Sequence, residues 1–537
     1  MSAAEAGPGA RPGGAGGSTG RGAPGSRTVP GLRLGAVDLA ALLAFGLLGL
    51  VPLLGGLSDL VSEPEVLGTL VGPRILRLWM NTVLLGLTTA AASLLVGAPV
   101  AWVLARCTGT GWFSSLLPLP LILPPWVAGV AWTEATPLRN FWGAVFLLTA
   151  SLWPLVALFG LRGFRAATRG GEVAALARGP GAAFRRVELP LALPSLLTGS
   201  LLVFVFATTD FGVVDFLSFS TQEPFVVLSS EIFQKWSRVG SGVEAAAASL
   251  PAVLSALAAL AGVLALERRH RGRHRGAAPP PVRLRPLGVG RLLSLLALVA
   301  LMSVPVVVLG GWTARGADPV APLAAHREAI GVSVGTALAA AAVVALLGVR
   351  LARLSLAPGR GWLLGLFLVP LAAPAITFAV GEIRFWNSLW APVSDAVYPS
   401  PLLLVMALAG RFLPLGVLAA RTLLARQDEG PFLAARLVAR PGWQRFLRVE
   451  LPLLAPATGL AFSLGFLLSL RELDMIVILP AGSRTLAHVI FGMVHIGSDA
   501  VTAALCLTLV LLVLVPAAAA RLLGVPGVDC SASGSAP

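Results

Sequence analysis

The stretch RRVELPLALPSLLTG, Arg185–Gly199, returns almost unchanged as LRVELPLLAPATGL, Leu447–Leu460, with Val187 matched by Val449 262 residues later. Each copy sets an arginine-bearing polar segment ahead of an apolar run, with Leu-Pro at the junction (Leu189-Pro190 and Leu451-Pro452). Proline suits the first turn of a helix, where its missing N–H has no partner to lose. Each Leu-Pro therefore marks the start of an apolar helix. A chain that carries this unit twice reads as two like halves.

Composition names the solvent of those halves. The 537 residues are 56% hydrophobic and 12% charged, with a mean hydropathy of +0.85. Soluble domains carry about 25% charged residues, so lipid is the main surrounding. Apolar runs of about 20 residues recur, each long enough to cross a bilayer as a helix. They do not alternate as barrel strands would, and lipid cannot satisfy a free backbone. The expected fold is all-α: a polytopic membrane protein of about twelve transmembrane helices in two parallel six-helix repeats. The first six spans are expected near 35–57, 78–105, 114–133, 142–161, 193–214 and 243–266. The second six are expected near 292–312, 329–350, 361–381, 399–420, 453–471 and 499–521. Prolines at 118, 120, 124 and 125, and at 370 and 374, predict that the third and ninth spans are kinked or broken.

The net charge of +15 is not a nucleic-acid signature, because the arginines sit in short clusters between apolar runs, and the only lysine is Lys235. Segments 162–186, 267–291 and 421–448 hold six, eight and six arginines, while loop 58–75 holds Asp59, Glu63 and Glu65 against Arg74 alone. By the positive-inside rule the basic loops and both termini are expected in the cytoplasm, and membrane lipid is an obligatory neighbour. The division expected is a disordered tail (1–34), a first repeat (35–266), a cytoplasmic linker (267–291), a second repeat (292–521) and a C-terminal tail (522–537). An even number of spans per half makes the copies parallel. Cys107, Cys506 and Cys530 are too scattered for a disulfide framework or a zinc site.

The repeated loops share a plan. GGEVAALARGPGAAFRRVELPLALP (170–194) and GPFLAARLVARPGWQRFLRVELPLLAP (430–456) each open with an Ala-rich helical segment. A Gly/Pro break follows, then an aromatic-basic stretch, then Leu-Pro. The pair resembles the EAA loop of the permease subunits of bacterial ABC importers: Glu-Ala-Ala, three residues, Gly, nine residues, an aliphatic, one residue, Leu-Pro. Counted back from Leu-Pro, the second copy has Leu433, Ala434 and Ala435 at Glu-Ala-Ala, Ala439 at Gly and Val449 at the aliphatic. The first has Gly171, Glu172 and Val173, then Ala177 and Val187. Neither copy has the motif's glycine or its acid in register. LPPWVAGVAW (123–132), TTDFGVVDFLSFSTQEPFVVLSSEIFQKW (208–236) and LRELDMIVILPAGSRTLAHVIFGMVHIGSD (470–499) extend the resemblance to the fused permeases of iron(III) and thiamine importers.

That resemblance implies a permease fold of the type I importers, in the bacterial cytoplasmic membrane, with a binding protein outside and two ATPase subunits inside. It implies that each loop seats a short coupling helix in one ATPase, through Glu172, Ala174, Ala175, Ala177, Phe184, Arg185, Val187, Leu189 and Pro190. In the second copy the contacts are Ala434, Ala435, Ala439, Phe446, Arg448, Val449, Leu451 and Pro452. A P-loop needs GxxxxGK[ST], which Lys235, in IFQKWS, cannot supply. No enzyme is expected in this chain, and no cofactor: ATP and Mg belong to the partner ATPase. Asp210 and Glu472 are equivalent under the 262-residue offset, with Arg471 and Asp474 beside the latter. Ionisable groups at membrane depth line a cavity or pair with one another, so these four are candidates for a pathway or gate. His488 and His495 lie seven apart, but no metal site is assigned. The cargo expected is iron(III); thiamine, a polyamine or a phosphonate fits the same frame. An ion-coupled secondary transporter would want carboxylates in mid-span, and the runs hold none.

Overall fold

The computed structural model describes residues 35–522, except 109–116, 118, 136–138, 220–224, 240–241, 274–284, 287, 317, 390, 426, 428–429, 438–441, 480–483 and 497–498. Among the described residues every regular element is helical save one parallel pairing of two-residue strands, Cys107–Thr108 with Arg285–Pro286. Eight helices among the described residues are long and apolar enough to cross a membrane, from Ala36–Leu57 at 22 residues to Pro73–Arg106 at 34. The pair Leu363–Ala372 and Ala375–Asn387, bent by 98°, makes nine if taken as one span. The chain is an all-α polytopic membrane protein.

A helix or a broken pair stands at each of the twelve expected places. The difference from twelve full spans lies in their ends and breaks. The span expected at 114–133 falls partly outside the described residues, and the rest is two short helices, Leu119–Ile122 and Pro125–Ala135. Pro124 and Pro125 withhold two successive N–H donors there. The span expected to run to 214 ends at Thr209, where Asp210 takes extended backbone. Helix Val289–Arg315 covers 292–312, and Asp499–Leu522 covers the last span.

Three π turns explain how the chain starts helices on proline. They span Gly46–Leu50, Phe184–Glu188 and Phe446–Glu450, and each ends two residues before a proline: Pro52, Pro190 and Pro452. A proline ring collides with the carbonyl four residues earlier. That carbonyl belongs to Leu48, Arg186 or Arg448, inside the π turn each time, where the wider winding gives it room.

The helices pack as two matching trios. Pro73–Arg106, Phe141–Arg178 and Leu189–Thr209 form one; Arg327–Leu356, Pro401–Leu424 and Leu451–Arg471 form the other. Small residues let their backbones approach, as is usual between membrane helices. A Cβ on Gly97 would stand 2.9 Å from the Trp153 carbonyl oxygen, and one on Gly348 would stand 3.1 Å from the Gly416 carbonyl carbon. The opening helices cross over. Ala36–Leu57, first in the chain, lies against Ala375–Asn387 and Pro401–Leu424 of the second half. Gly381 and Gly410 make that crossing, since a Cβ on either would overlap the carbonyl oxygen of Pro52 or Leu48. Val289–Arg315 in turn reaches Pro125–Ala135 of the first half.

Candidate functional site

The two loops differ in build. In the first, helix Phe141–Arg178 runs on without a break through the stretch holding Glu172, Ala174, Ala175 and Ala177. The separate surface helix expected there is therefore an extension of the fourth span. It stops at Gly179, whose φ of 81° turns the chain. Pro180–Ala183 and the π turn then lead into Leu189–Thr209. In the second, Pro401–Leu424 ends first, and Gly430–Leu437, carrying Ala434 and Ala435, is a short helix of its own. Ala439 lies outside the described residues, and Phe446 opens the π turn Phe446–Glu450. Arg185, Pro190, Arg448, Leu451 and Pro452 are exposed, and Val187, Leu189 and Val449 are half-buried. Phe184 points inward, its ring 5.7 Å from that of Trp102 and 6.4 Å from that of Phe164.

Behind each loop stands a glutamate that the repeat contains but that sequence reading gave no role. Glu188, 1% exposed, pairs with Arg106 and accepts a hydrogen bond from Trp102 Nε1 at 3.2 Å. Glu450, its equivalent, lies 3.2 Å from Arg445 and 3.9 Å from Arg353, with its side chain 22% exposed. Arg353 also sits 4.6 Å over the Phe432 ring. The two arginines close the second span of their halves in a shared Leu-Ala-Arg, 104–106 and 351–353. Each loop is thus fastened, at the start of the fifth span, to the end of the second. The sequence signal was there: a matched arginine at each helix end, and a matched glutamate before each Leu-Pro.

The four candidates for a pathway or gate come together where helices Leu189–Thr209 and Leu451–Arg471 both break. Asp210 Oδ1 accepts from Val213 N at 3.0 Å, and Glu472 Oε1 accepts from Met475 N at 3.3 Å. These are the same turn, 262 residues apart. Asp474 crosses between the halves: its two carboxylate oxygens accept from the N–H groups of Phe211 and Gly212, each at 3.0 Å. Arg471 donates to the carbonyl of Leu121 in the broken third span. Sequence reading missed Arg411, 7% exposed, which donates to the Ala373 carbonyl at 2.9 Å and lies 3.9 Å from Glu472. A lone arginine amid an apolar span was its signal. No group of three or more His, Cys, Asp or Glu able to hold a metal occurs among the described residues.

Two matched trios, two loops of one plan and a charged break shared between halves define a two-copy polytopic membrane protein. Its similarity to known proteins is to transport permeases. The molybdenum transport system permease protein ModB of Mycobacterium bovis is 32% identical over 207 residues, 34% of this chain and 78% of that protein. Its counterpart in Escherichia coli K12 is 32% identical over 161 residues, 25% of this chain and 69% of that protein. The Fe(3+)-transport system permease protein FbpB 2 of Haemophilus influenzae is 29% identical over 193 residues, 35% of this chain. That match spans only 37% of the iron permease's own length. No family model matches the chain. The chain belongs to the permeases of ABC transport systems.

Proposed function

We propose that this chain is the fused, two-copy permease of an ATP-driven importer and that its cargo is iron(III). A binding protein delivers the cargo on the outer side. Two separate ATPase subunits seat against the loops at 171–190 and 433–452, on the cytoplasmic side with both termini. ATP binding draws the ATPases together, the loops move with them, and the two trios rock about the charged break. Such a switch needs contacts that differ between its two states, and the Asp474 bonds to Phe211 and Gly212 lie where the two halves would have to part.

The observation that carries the reading is the doubled loop, each copy anchored by its own Glu–Arg pair, in a chain of the permease family. Size favours the iron system. The 193 matched residues are 37% of the iron permease and the 207 are 78% of ModB, so the iron permease is about twice as long. A double-length relative is what a fused chain should resemble. The second reading, molybdate, is favoured by the higher identity to ModB.

The test is uptake by proteoliposomes holding this chain together with the ATPase and the binding protein of its own system. ATP-dependent accumulation of iron(III), with one permease chain to two ATPase chains in the purified complex, is the expected result. Molybdate uptake without iron uptake would replace the cargo. Uptake at full rate without the ATPase would overturn the importer reading.

A further inference from the structure

The first loop's anchor has a third member from the other half. Arg291 stands in the first turn of Val289–Arg315, the opening helix of the second half. Its guanidinium carbon lies 5.5 Å from the centre of the Trp102 ring, and its Nη1 donates to Cys107 Sγ at 3.4 Å. Arg106 lies 5.4 Å from the same ring. Trp102 in turn donates to Glu188, and Phe184 of the loop packs edge-on against its indole. Just upstream of Arg291, backbone at Arg285–Pro286 pairs with Cys107–Thr108. The connection between halves is therefore bound at two points to the end of the second span.

The second half has a cross-half contact of its own but of a different kind: Asp38, in the first turn of the first half's opening helix, pairs with Arg350 at 2.5 Å near the end of Arg327–Leu356. Aligned on the shared Leu-Ala-Arg, Val349 takes the place of Trp102. Glu450 there is served by Arg445 and Arg353, both from its own half. Both second spans are thus tied across the halves near their ends, but only in the first does the cross-half contact stack on the indole that bonds the loop's glutamate.

We infer that Arg291 is a positioning residue for the first coupling loop: stacked on Trp102, it holds the Trp102–Glu188–Arg106 group against the start of the fifth span. The second half thereby steadies the loop through which the first half is driven. This inference rests on the proposed importer reading only for its functional consequence.

Arg291→Ala in the complete transporter should raise the ATP hydrolysed per iron(III) taken up roughly fivefold, the scale of one cation–π contact. ATPase activity itself should persist. Arg291→Lys, which keeps a cation over the ring, should stay near the parent ratio, and Arg315→Ala at the far end of the same helix should change nothing. An unchanged ratio for Arg291→Ala would overturn the inference. A second measurement needs no transport: thermal unfolding of Arg291→Met, Glu188→Gln and the double variant. Arg291→Met keeps side-chain length without the charge. Losses in the double variant smaller than the sum of the singles are expected; strict additivity would also overturn the inference. Because this cycle reads the coupling of Arg291 to Glu188 through Trp102 in the folded chain, it stands or fails independently of the importer reading.

Discussion

Asp474→Ala removes a carboxylate that bonds the two halves together at their break. In the folded chain its oxygens accept two backbone N–H groups at 3.0 Å, those of Phe211 and Gly212. A hydrogen bond to a charged acceptor contributes about 1.5–3 kcal/mol, so the pair contributes about 3 kcal/mol at the lower end. If these bonds exist in only one of the two transport states, their loss shifts the balance between states by more than about a hundredfold, since every 1.4 kcal/mol is tenfold. Asp474→Asn keeps one acceptor oxygen but turns an amide donor towards an N–H, so it should lose at least half as much. The assay is ATP hydrolysis by the reconstituted transporter without its binding protein. The expected result is a raised basal rate, larger for Ala than for Asn, with a parallel fall in unfolding temperature in detergent. Parent values of both quantities in Asp474→Ala would refute the reasoning, because the halves would then be held elsewhere.

The two loop glutamates should respond unequally. Glu188→Ala empties a buried ion-pair site and should cost about 3–5 kcal/mol, while Glu450→Ala, at a part-exposed pair, should cost about 1 kcal/mol or less; chemical unfolding in mixed micelles reads the difference. Gly410→Ala would thrust a Cβ into the Leu48 carbonyl, and overpacking of this sort costs about 1–3 kcal/mol. Cross-linking between cysteines placed on helices Ala36–Leu57 and Pro401–Leu424 should weaken in that variant. Glu472→Ala should lower transport at normal abundance; unchanged transport would remove Glu472 from any gate.

The sequence was most legible where a physical constraint is local. Proline disrupts a helix by its own ring, so the break at Pro124-Pro125 and the bend before Ala375 could be read from composition alone. The Leu-Pro starts were likewise local, although the π turns ahead of them were not foreseen. What could not be read was pairing. Arg411 meets the Ala373 carbonyl, and Arg106 meets Glu188, only after helices far apart in sequence have packed. The continuous helix through Arg178 was missed for the opposite reason. The Gly170-Gly171 pair lowers local helix propensity by about 1 kcal/mol per glycine, yet 38 residues of cooperative helix carry the backbone past it.

The distribution of differences between the halves is itself informative. Two identical chains related by a twofold axis must present the same residue on both sides of their seam. A fused chain is free of that rule, and this one departs from it along the seam. Asp210 is matched by Glu472 as a conservative pair, but Thr209 is matched by Arg471 and Gly212 by Asp474. Aligned on Pro154 and Pro414, Ser151 is matched by Arg411. The first half thus supplies small groups and bare N–H donors, and the second supplies the long charged side chains that reach them. Asp474 could not cap the Phe211–Gly212 break if residue 212 also carried a carboxylate, because a second acid there would put like charges in contact. The cross-half bond therefore requires the asymmetry. It follows that restoring symmetry is more damaging than removing a partner: Gly212→Asp, which makes both halves alike, should destabilise the seam more than Asp474→Ala does. Equal or smaller loss in Gly212→Asp, measured by the same unfolding experiment, would show that the halves tolerate like charges and that the divergence at these positions has no electrostatic cause.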